Sequence, residues 1–202
     1  SEAALQGIDH GVGGAAVNHA TVAKIAALAA PHHELWTLAA DALADLDRWR
    51  DDADVRSLNG AVVLRKLNAL HDHVTALRER LCADDEAEGA RDAASSLLLT
   101  ICELLAPDAK RLIAAASHNG LRERHVRIIH EEAGIDLGSQ LPLGEVLRQL
   151  RASADVEAAL AKMEAVAAEA GDEHEVELAL TRMIETVSIE HARRTVVQGS
   201  DV

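Results

Sequence analysis

Apolar residues recur at alternating intervals of three and four over residues 35–81, and this spacing constrains the fold more than any other feature of the chain. The first part of the series is Leu35, Ala39, Ala42, Leu46, Trp49 and Ala53. The second part is Val63, Leu67, Leu70, Val74, Leu77 and Leu81. Such intervals keep one face of an α-helix apolar and are typical of helices that pack lengthwise. Arg56 and Gly60 fall on the same face, so the series predicts a kink or a break near residues 59–60.

Two more series of this kind predict long helices over residues 145–197. The first contains Val146, Leu150, Val156, Leu160, Met163, Val166 and Ala167. The second begins after Gly171 and contains Val176, Leu180, Met183, Val187 and His191. We interpret Gly171 as the boundary between the two helical patterns.

Glycine and proline divide the rest of the chain. Pro31 interrupts a helical pattern over residues 15–30 and suits the first position of the next helix. The charged residues 83–91 predict an exposed connection, and residues 134–144, with three glycines, predict a loop. The predicted organisation is a flexible leader (1–14), one helical-bundle domain (15–198) with long helices (35–82 and 145–197) and shorter helices and loops (83–144), and a tail (199–202).

The chain contains two tryptophans and no phenylalanine or tyrosine. Its interior must therefore be filled by leucine, valine, isoleucine and alanine, whose short side chains suit a slender bundle better than a thick core. Alanine also has the highest helix propensity and lets helix axes approach closely. No segment alternates over the length of a strand. The sequence predicts an all-α fold, an elongated antiparallel helical bundle with long heptad-patterned helices and a head of shorter helices.

The charge of the chain excludes some partners. Asp and Glu number 34 against 20 Lys and Arg, which gives a formal net charge of −14. Nucleic-acid binding requires clustered Lys and Arg, and no basic stripe is present. No apolar run approaches the roughly 18–20 residues of a membrane span. We expect a protein partner, no nucleic acid and no transmembrane segment.

The spacing of chemically active residues excludes several kinds of site. None of the 11 histidines follows a Glu at the Glu-x-x-His spacing of di-iron bundles, and no His-Glu-x-x-His zinc motif is present. Phosphate-binding and nucleophile-elbow motifs are also missing. The histidines are therefore interpreted as solvated or capping residues. We predict no enzyme activity, no cofactor and no catalytic or metal-binding residues.

Cys82 and Cys102 form the one candidate pair for a covalent link. A disulfide between them would close a loop of roughly 20 residues and stabilise the fold by about 3 kcal/mol. Such a bond is typical of oxidising compartments. The alternative is two buried free thiols in a cytosolic protein, since cysteine is often a core residue.

The layout resembles a family of surface proteins. Alanine- and acid-rich helical hairpins over residues 35–81 and 145–197, a head of shorter helices between them, and a cysteine pair in that head are similar to the glutamic acid/alanine-rich surface protein of African trypanosomes. The helical bundle of variant surface glycoproteins is a more distant relative. This resemblance implies a non-catalytic coat protein at the cell surface. It also implies a glycosylphosphatidylinositol anchor beyond Val202, dense packing against neighbouring coat molecules, and a role in shielding and in host or vector interaction.

Two other functions also remain open. The first is an intracellular bacterial helical adaptor or secretion-associated chaperone, which would bind a partner helix through an exposed apolar seam. The second is a four-helix bundle that carries metal or haem on histidine ligands.

The state of the two thiols distinguishes the coat function from the adaptor function. For a coat protein we expect no reactive thiol when the unreduced protein from its native compartment is unfolded, because Cys82 and Cys102 would be bridged. Thiol titration measures this, with a reduced sample as the reference for two thiols. Two reactive thiols without reduction would favour the cytosolic adaptor.

Overall fold

The computed structural model describes residues 11–82, 87–138 and 140–198. Apart from a single bridge between Asp54 and Pro142, the described residues contain no β-structure, and the predicted all-α helical-bundle fold is confirmed. The α-helices are α1 (Gly11–Asp47), α2 (Gly60–Leu81), α3 (Glu88–Leu104), α4 (Pro107–Ala116), α5 (Glu123–Ala133), α6 (Leu143–Ala152) and α7 (Val156–Gln198). A π-helical turn (Arg48–Asp52) and a 3-10 turn (Val55–Ser57) connect α1 to α2.

The apolar series of residues 35–81 behaves as predicted. Nine of its 12 members are buried, and Ala39, Ala53 and Leu70 are half-buried. The break near residues 59–60 is also confirmed, since α2 begins at Gly60 after the two short turns. Asn59 caps this start, because its side-chain oxygen accepts a hydrogen bond from the Val62 N–H at 3.1 Å.

The chain divides into two compact units. The first consists of Ser1–Asp45 and Asn68–Cys102. Its buried side chains include Leu35 on α1, Leu77 on α2 and Ile101 on α3. The Glu34 carboxylate accepts a hydrogen bond from Arg80 at 2.8 Å and lies 3.0 Å from His73 Nε2. These contacts, first that with His73 and then that with Arg80, lower the pKa of Glu34 and tie α1 to α2.

The second unit consists of Leu46–Leu67 and Glu103–Val202. In this unit α7 packs against α4, α5 and α6, and α6 also packs against the π-helical turn. Fully buried side chains include Leu112 on α4, Ile129 on α5, Leu150 on α6 and Met163 on α7. Gly134 ends α5 in the left-handed conformation at a φ of 70°, as the glycine after the last apolar residue indicates.

Several predicted boundaries differ from the structure at the N-terminal side. Residues 11–14 belong to α1 and not to a leader, and α1 continues through Pro31. Proline removes one helical hydrogen bond. Every side chain from 21 to 30 is exposed, so water can satisfy the carbonyl group that proline leaves without a donor. The predictions for residues 1–10, 83–86 and 199–202 lie outside the described residues.

Other boundaries differ in the second half of the chain. The helix predicted from residue 145 ends at Ala152, and α7 begins at Val156 after a turn. There the Asp155 side chain caps α7 by accepting a hydrogen bond from the Ala158 N–H at 2.9 Å. In contrast, α7 does not stop at Gly171 but runs through it.

Packing explains the glycine inside α7. The turn between α4 and α5 lies against α7, and a Cβ atom at Gly171 would come within 2.9 Å of the His118 ring. On the turn itself, a Cβ atom at Gly120 would lie 2.2 Å from the Ala170 carbonyl oxygen. Both glycines are therefore required by the close approach of the turn to the helix.

We expect Gly120→Ala to lower the free energy of unfolding by about 1–3 kcal/mol, since the added methyl group has to displace the α7 backbone. Urea unfolding followed by circular dichroism measures the change. The matched control is Gly89→Ala on α3, where a Cβ atom meets nothing within 4 Å. This control should raise stability by up to about 1 kcal/mol. Equal effects at the two positions would contradict the described contact.

Candidate interaction surface

The second half of α7 exposes an apolar face. Every side chain from 175 to 189 is exposed, although the first half of the same helix has a buried face. Five large apolar residues share one side of this segment: Val176, Leu180, Met183, Ile184 and Val187. Their exposed fractions lie between 53% and 67%. We call these five residues the apolar strip.

The apolar strip meets the buried face of α7 at one edge only. Six buried residues mark that face: Ala159, Leu160, Met163, Val166, Ala167 and Ala170. At about 100° per residue, the mean direction of the strip is rotated by roughly a third of a turn from the buried face. The shared edge is that of Ile184, which follows the buried Val166 by five full turns. Two other exposed apolar residues, Leu178 and Ile189, lie roughly half a turn from the strip.

Polar contacts at the start of the exposed segment hold α7 to α5. Arg124 donates a hydrogen bond to the Glu173 carboxylate, and Arg122 donates one to Glu177. The His125 ring is only 2% exposed, and its Nε2 lies 3.0 Å from Glu173 Oε2. His125 Nδ1 accepts a hydrogen bond from the Arg122 N–H at 3.2 Å, so this ring also caps the start of α5.

A second set of contacts holds α7 to α4. Arg111 donates two hydrogen bonds to Glu164 at 2.7 Å, and it also contacts both carboxylate oxygens of Glu157. The hydrogen bonds from Arg111 lower the pKa of Glu164, and the bond from Arg124 lowers the pKa of Glu173. Glu164 and Glu157 in turn raise the pKa of Arg111. The first half of α7, which packs against α4, α5 and α6, is called the docked half. It combines a buried apolar face with glutamate–arginine pairs.

Both acidic and basic side chains lie near the apolar strip. Asp172 and Glu177 lie on opposite edges of it along α7, and Glu177 is paired with Arg122 of α5. Glu175 and Arg182, which are seven residues apart, share a face of α7 farther from the strip. Arginines therefore neutralise part of the negative charge around the strip.

A second apolar face lies on the first half of α1. Val22, Ile25 and Leu28 are 60–64% exposed. Leu28 precedes the buried Leu35 by seven residues, so this face continues the packed series in the same heptad position. It is smaller than the apolar strip, and Lys24 is the one Asp, Glu, Lys or Arg between residues 11 and 33.

A cleft of about 420 Å³ lies in the second unit beside the start of α6. Three arginines line it, but each has a carboxylate partner: Arg50 with Asp51, Arg148 with Glu145, and Arg151 with Asp108. Burial would raise the pKa of Asp108, but the hydrogen bonds from Arg151 and from the Ala109 N–H lower it overall. The paired charges give the cleft little preference for a free anion.

The structure places the sequence-predicted site residues as follows. Cys82 and Cys102 are both exposed and unbridged in this structure, so they are not the buried thiols of the alternative, and the disulfide between them stays a prediction. His125 caps α5, in line with its interpretation as a capping histidine. His174 has a buried Nδ1 without a hydrogen-bond partner. In the described part of the chain, no three His, Cys, Asp or Glu side chains are arranged to hold a metal ion.

Among the described residues, no helix combines the length and apolar character that a membrane span requires. Comparison with known protein families, with curated proteins and with solved structures finds no match to this chain.

Sequence reasoning found four of the five strip residues but not their exposure. The three-four spacing of Val176, Leu180, Met183 and Val187 predicts an apolar helical face, and the structure confirms the helix. The spacing does not state which element covers that face. The spacing does not predict Ile184, because this residue follows Met183 directly and lies outside the regular three-four series.

The lowered pKa values of Glu164 and Glu173 predict acid sensitivity. The unfolded chain binds protons at these carboxylates at a higher pH than the folded protein does, so the free energy of unfolding falls as the pH drops below about 4.5. Urea unfolding between about pH 3 and pH 6 measures this. The Glu164→Gln variant should show a smaller fall, since it removes one of the carboxylates whose pKa is lowered in the folded protein. A fall as steep as that of the unchanged protein would contradict the role of Glu164.

Proposed function

We propose that this protein is a non-catalytic interaction protein that binds an amphipathic helix of a partner along the apolar strip of α7. Helix recognition of this kind needs apolar side chains at i, i+3, i+4 and i+7, presented on a stable element. Leu180, Met183, Ile184 and Val187 have that spacing. Their simultaneous exposure on one helix face is the observation that carries the proposal.

Two features support a binding role over a chance exposure. Clustered large apolar side chains at a protein surface often mark an interaction site, whereas single ones are ordinary. The strip also begins at Val176, between the contacts that Glu173 and Glu177 make with α5, so its first turn is held in place before any partner arrives. A fixed site loses less conformational entropy on binding.

The surface-coat function that the resemblance implies is a second proposal. A negative net charge supports it, since like charges keep crowded molecules apart and soluble. The adaptor function would instead leave Cys82 and Cys102 unpaired, because a reducing compartment keeps thiols reduced.

The double variant Leu180→Glu/Met183→Glu tests the helix-binding proposal. We expect its free energy of unfolding to stay within about 0.5 kcal/mol of the unchanged protein, because both side chains are exposed. Binding to the partner should weaken by about 100-fold or more, since two central apolar contacts are replaced by charges. The partner is identified by affinity purification from the native source, and its helical segment is then synthesised for titration by fluorescence anisotropy.

The matched control is Leu178→Glu/Ile189→Glu, which adds the same charge on the opposite side of α7. This control should bind the segment as the unchanged protein does. A segment that binds the strip variant and the unchanged protein equally would overturn the proposal.

A further inference from the structure

The outward side of α1 carries a further series of uncharged residues. Its seven members are all exposed and follow one another at alternating intervals of four and three. They are Val22, Ala26, Ala29, His33, Trp36, Ala40 and Leu43. At about 100° per residue, their mean direction lies about 130° around the helix from the buried Leu35, Ala42 and Leu46. We call these seven residues the outer series.

The outer series has the length and the character of one side of a helix pair. It covers about three heptads, the length at which such a pattern favours a coiled coil. Trp36 is 59% exposed, and tryptophan is enriched among the residues that dominate interfaces. No Asp, Glu, Lys or Arg belongs to the series, although the chain has a net charge of −14. Two acidic copies can therefore meet at this face without bringing like charges into contact.

The sizes of the side chains fit a second copy in the antiparallel orientation. In a pair with a twofold axis at residue 31, each residue faces the one that lies equally far on the other side of 31. Trp36 then lies opposite Ala26 of the second copy. Val22 lies opposite Ala40 in the same way. Large side chains thus meet small ones, which allows the two helices to interdigitate.

Charge favours the same orientation. Asp47 lies in line with the outer series, one turn beyond Leu43. A parallel pair would place the two copies of Asp47 side by side, which costs free energy. In an antiparallel pair, Asp47 lies toward the first part of the other α1. There Lys24 is the one Asp, Glu, Lys or Arg between residues 11 and 33.

From these observations we propose that two copies of the protein associate through the outer series of α1, as an antiparallel helix pair with its twofold axis at residue 31. Such an interface closes on itself, because each copy offers the same surface to the other. None of its residues belongs to the apolar strip of α7, so the helix-binding function proposed above does not depend on it.

Sedimentation of the full chain over a wide range of concentration tests the association. We expect a reversible equilibrium between monomer and dimer. Trp36→Ala should weaken the dimer by about 100-fold or more, because both copies of the tryptophan are lost, and its circular dichroism should be unchanged. The matched control is Leu99→Ala on α3, where the leucine is 70% exposed, and it should form the dimer as the unchanged protein does. Raising the salt concentration from about 0.05 to 0.5 M should strengthen the dimer, since salt screens the repulsion between acidic copies.

Cysteine cross-linking tests the orientation. The variants Val22→Cys and Ala40→Cys are made in a Cys82→Ser/Cys102→Ser background, because the natural cysteines are exposed. Mixing the two variants under mild oxidation should give a linked dimer that contains one of each. Each variant alone should give none, since its two identical positions lie about 27 Å apart along an antiparallel pair.

Three outcomes would overturn the inference. The first is a protein that stays monomeric at every concentration. The second is cross-linking within each single variant, which would show a parallel pair. The third is self-association that persists in Trp36→Ala but is lost in Leu180→Glu, which would place the second copy on the apolar strip of α7.

Discussion

The close approach of the α4–α5 turn to α7 is the contact on which the described surface depends. At this point the Gly120 and Ala170 backbones meet, and the His118 ring lies against Gly171. No side chain larger than hydrogen fits at either glycine without movement. Just beyond it, Arg122 and Arg124 secure α7 through Glu177 and Glu173. The apolar strip therefore begins where α7 is still held by contacts with α5.

The docked half of α7 also shows how an acidic protein with few bulky side chains holds its helices together. Leucine, valine and alanine fill the contacts at the centre, and arginine–glutamate pairs lie at the edges. Each exposed pair stabilises only slightly on its own. Their main effect is on alignment, because a bidentate pair such as that of Arg111 with Glu164 fixes the relative position of two helices.

The sequence predicted the helices and most of the buried faces, because apolar residues at alternating intervals of three and four share one face in an α-helix. Residues such as Leu46, Val74 and Met163 are buried as their spacing requires. The boundaries at Pro31 and Gly171 were wrong because each residue has two common roles. Proline both starts helices and occurs within them where water replaces the lost donor, and glycine both ends helices and allows close packing.

For the candidate surface, the sequence predicts that the apolar residues share a face but does not predict that this face is exposed. Periodicity shows that Val176, Leu180 and Val187 share a face, but burial depends on which elements lie opposite, and these come from distant parts of the chain. The roughly one-third turn between the two apolar faces of α7 is visible in the spacing of its residues. α4 and α5 pack against α7, whereas every α7 side chain from 175 to 189 is exposed.

The uninterrupted course of α7 through Gly171 has a mechanical consequence. Val187 lies about 25 Å along the helix axis from Ala170, and an α-helix of this length transmits tension and torque with little bending. A force applied by a molecule bound near Val187 would therefore act on the contact between Gly171 and the His118 ring.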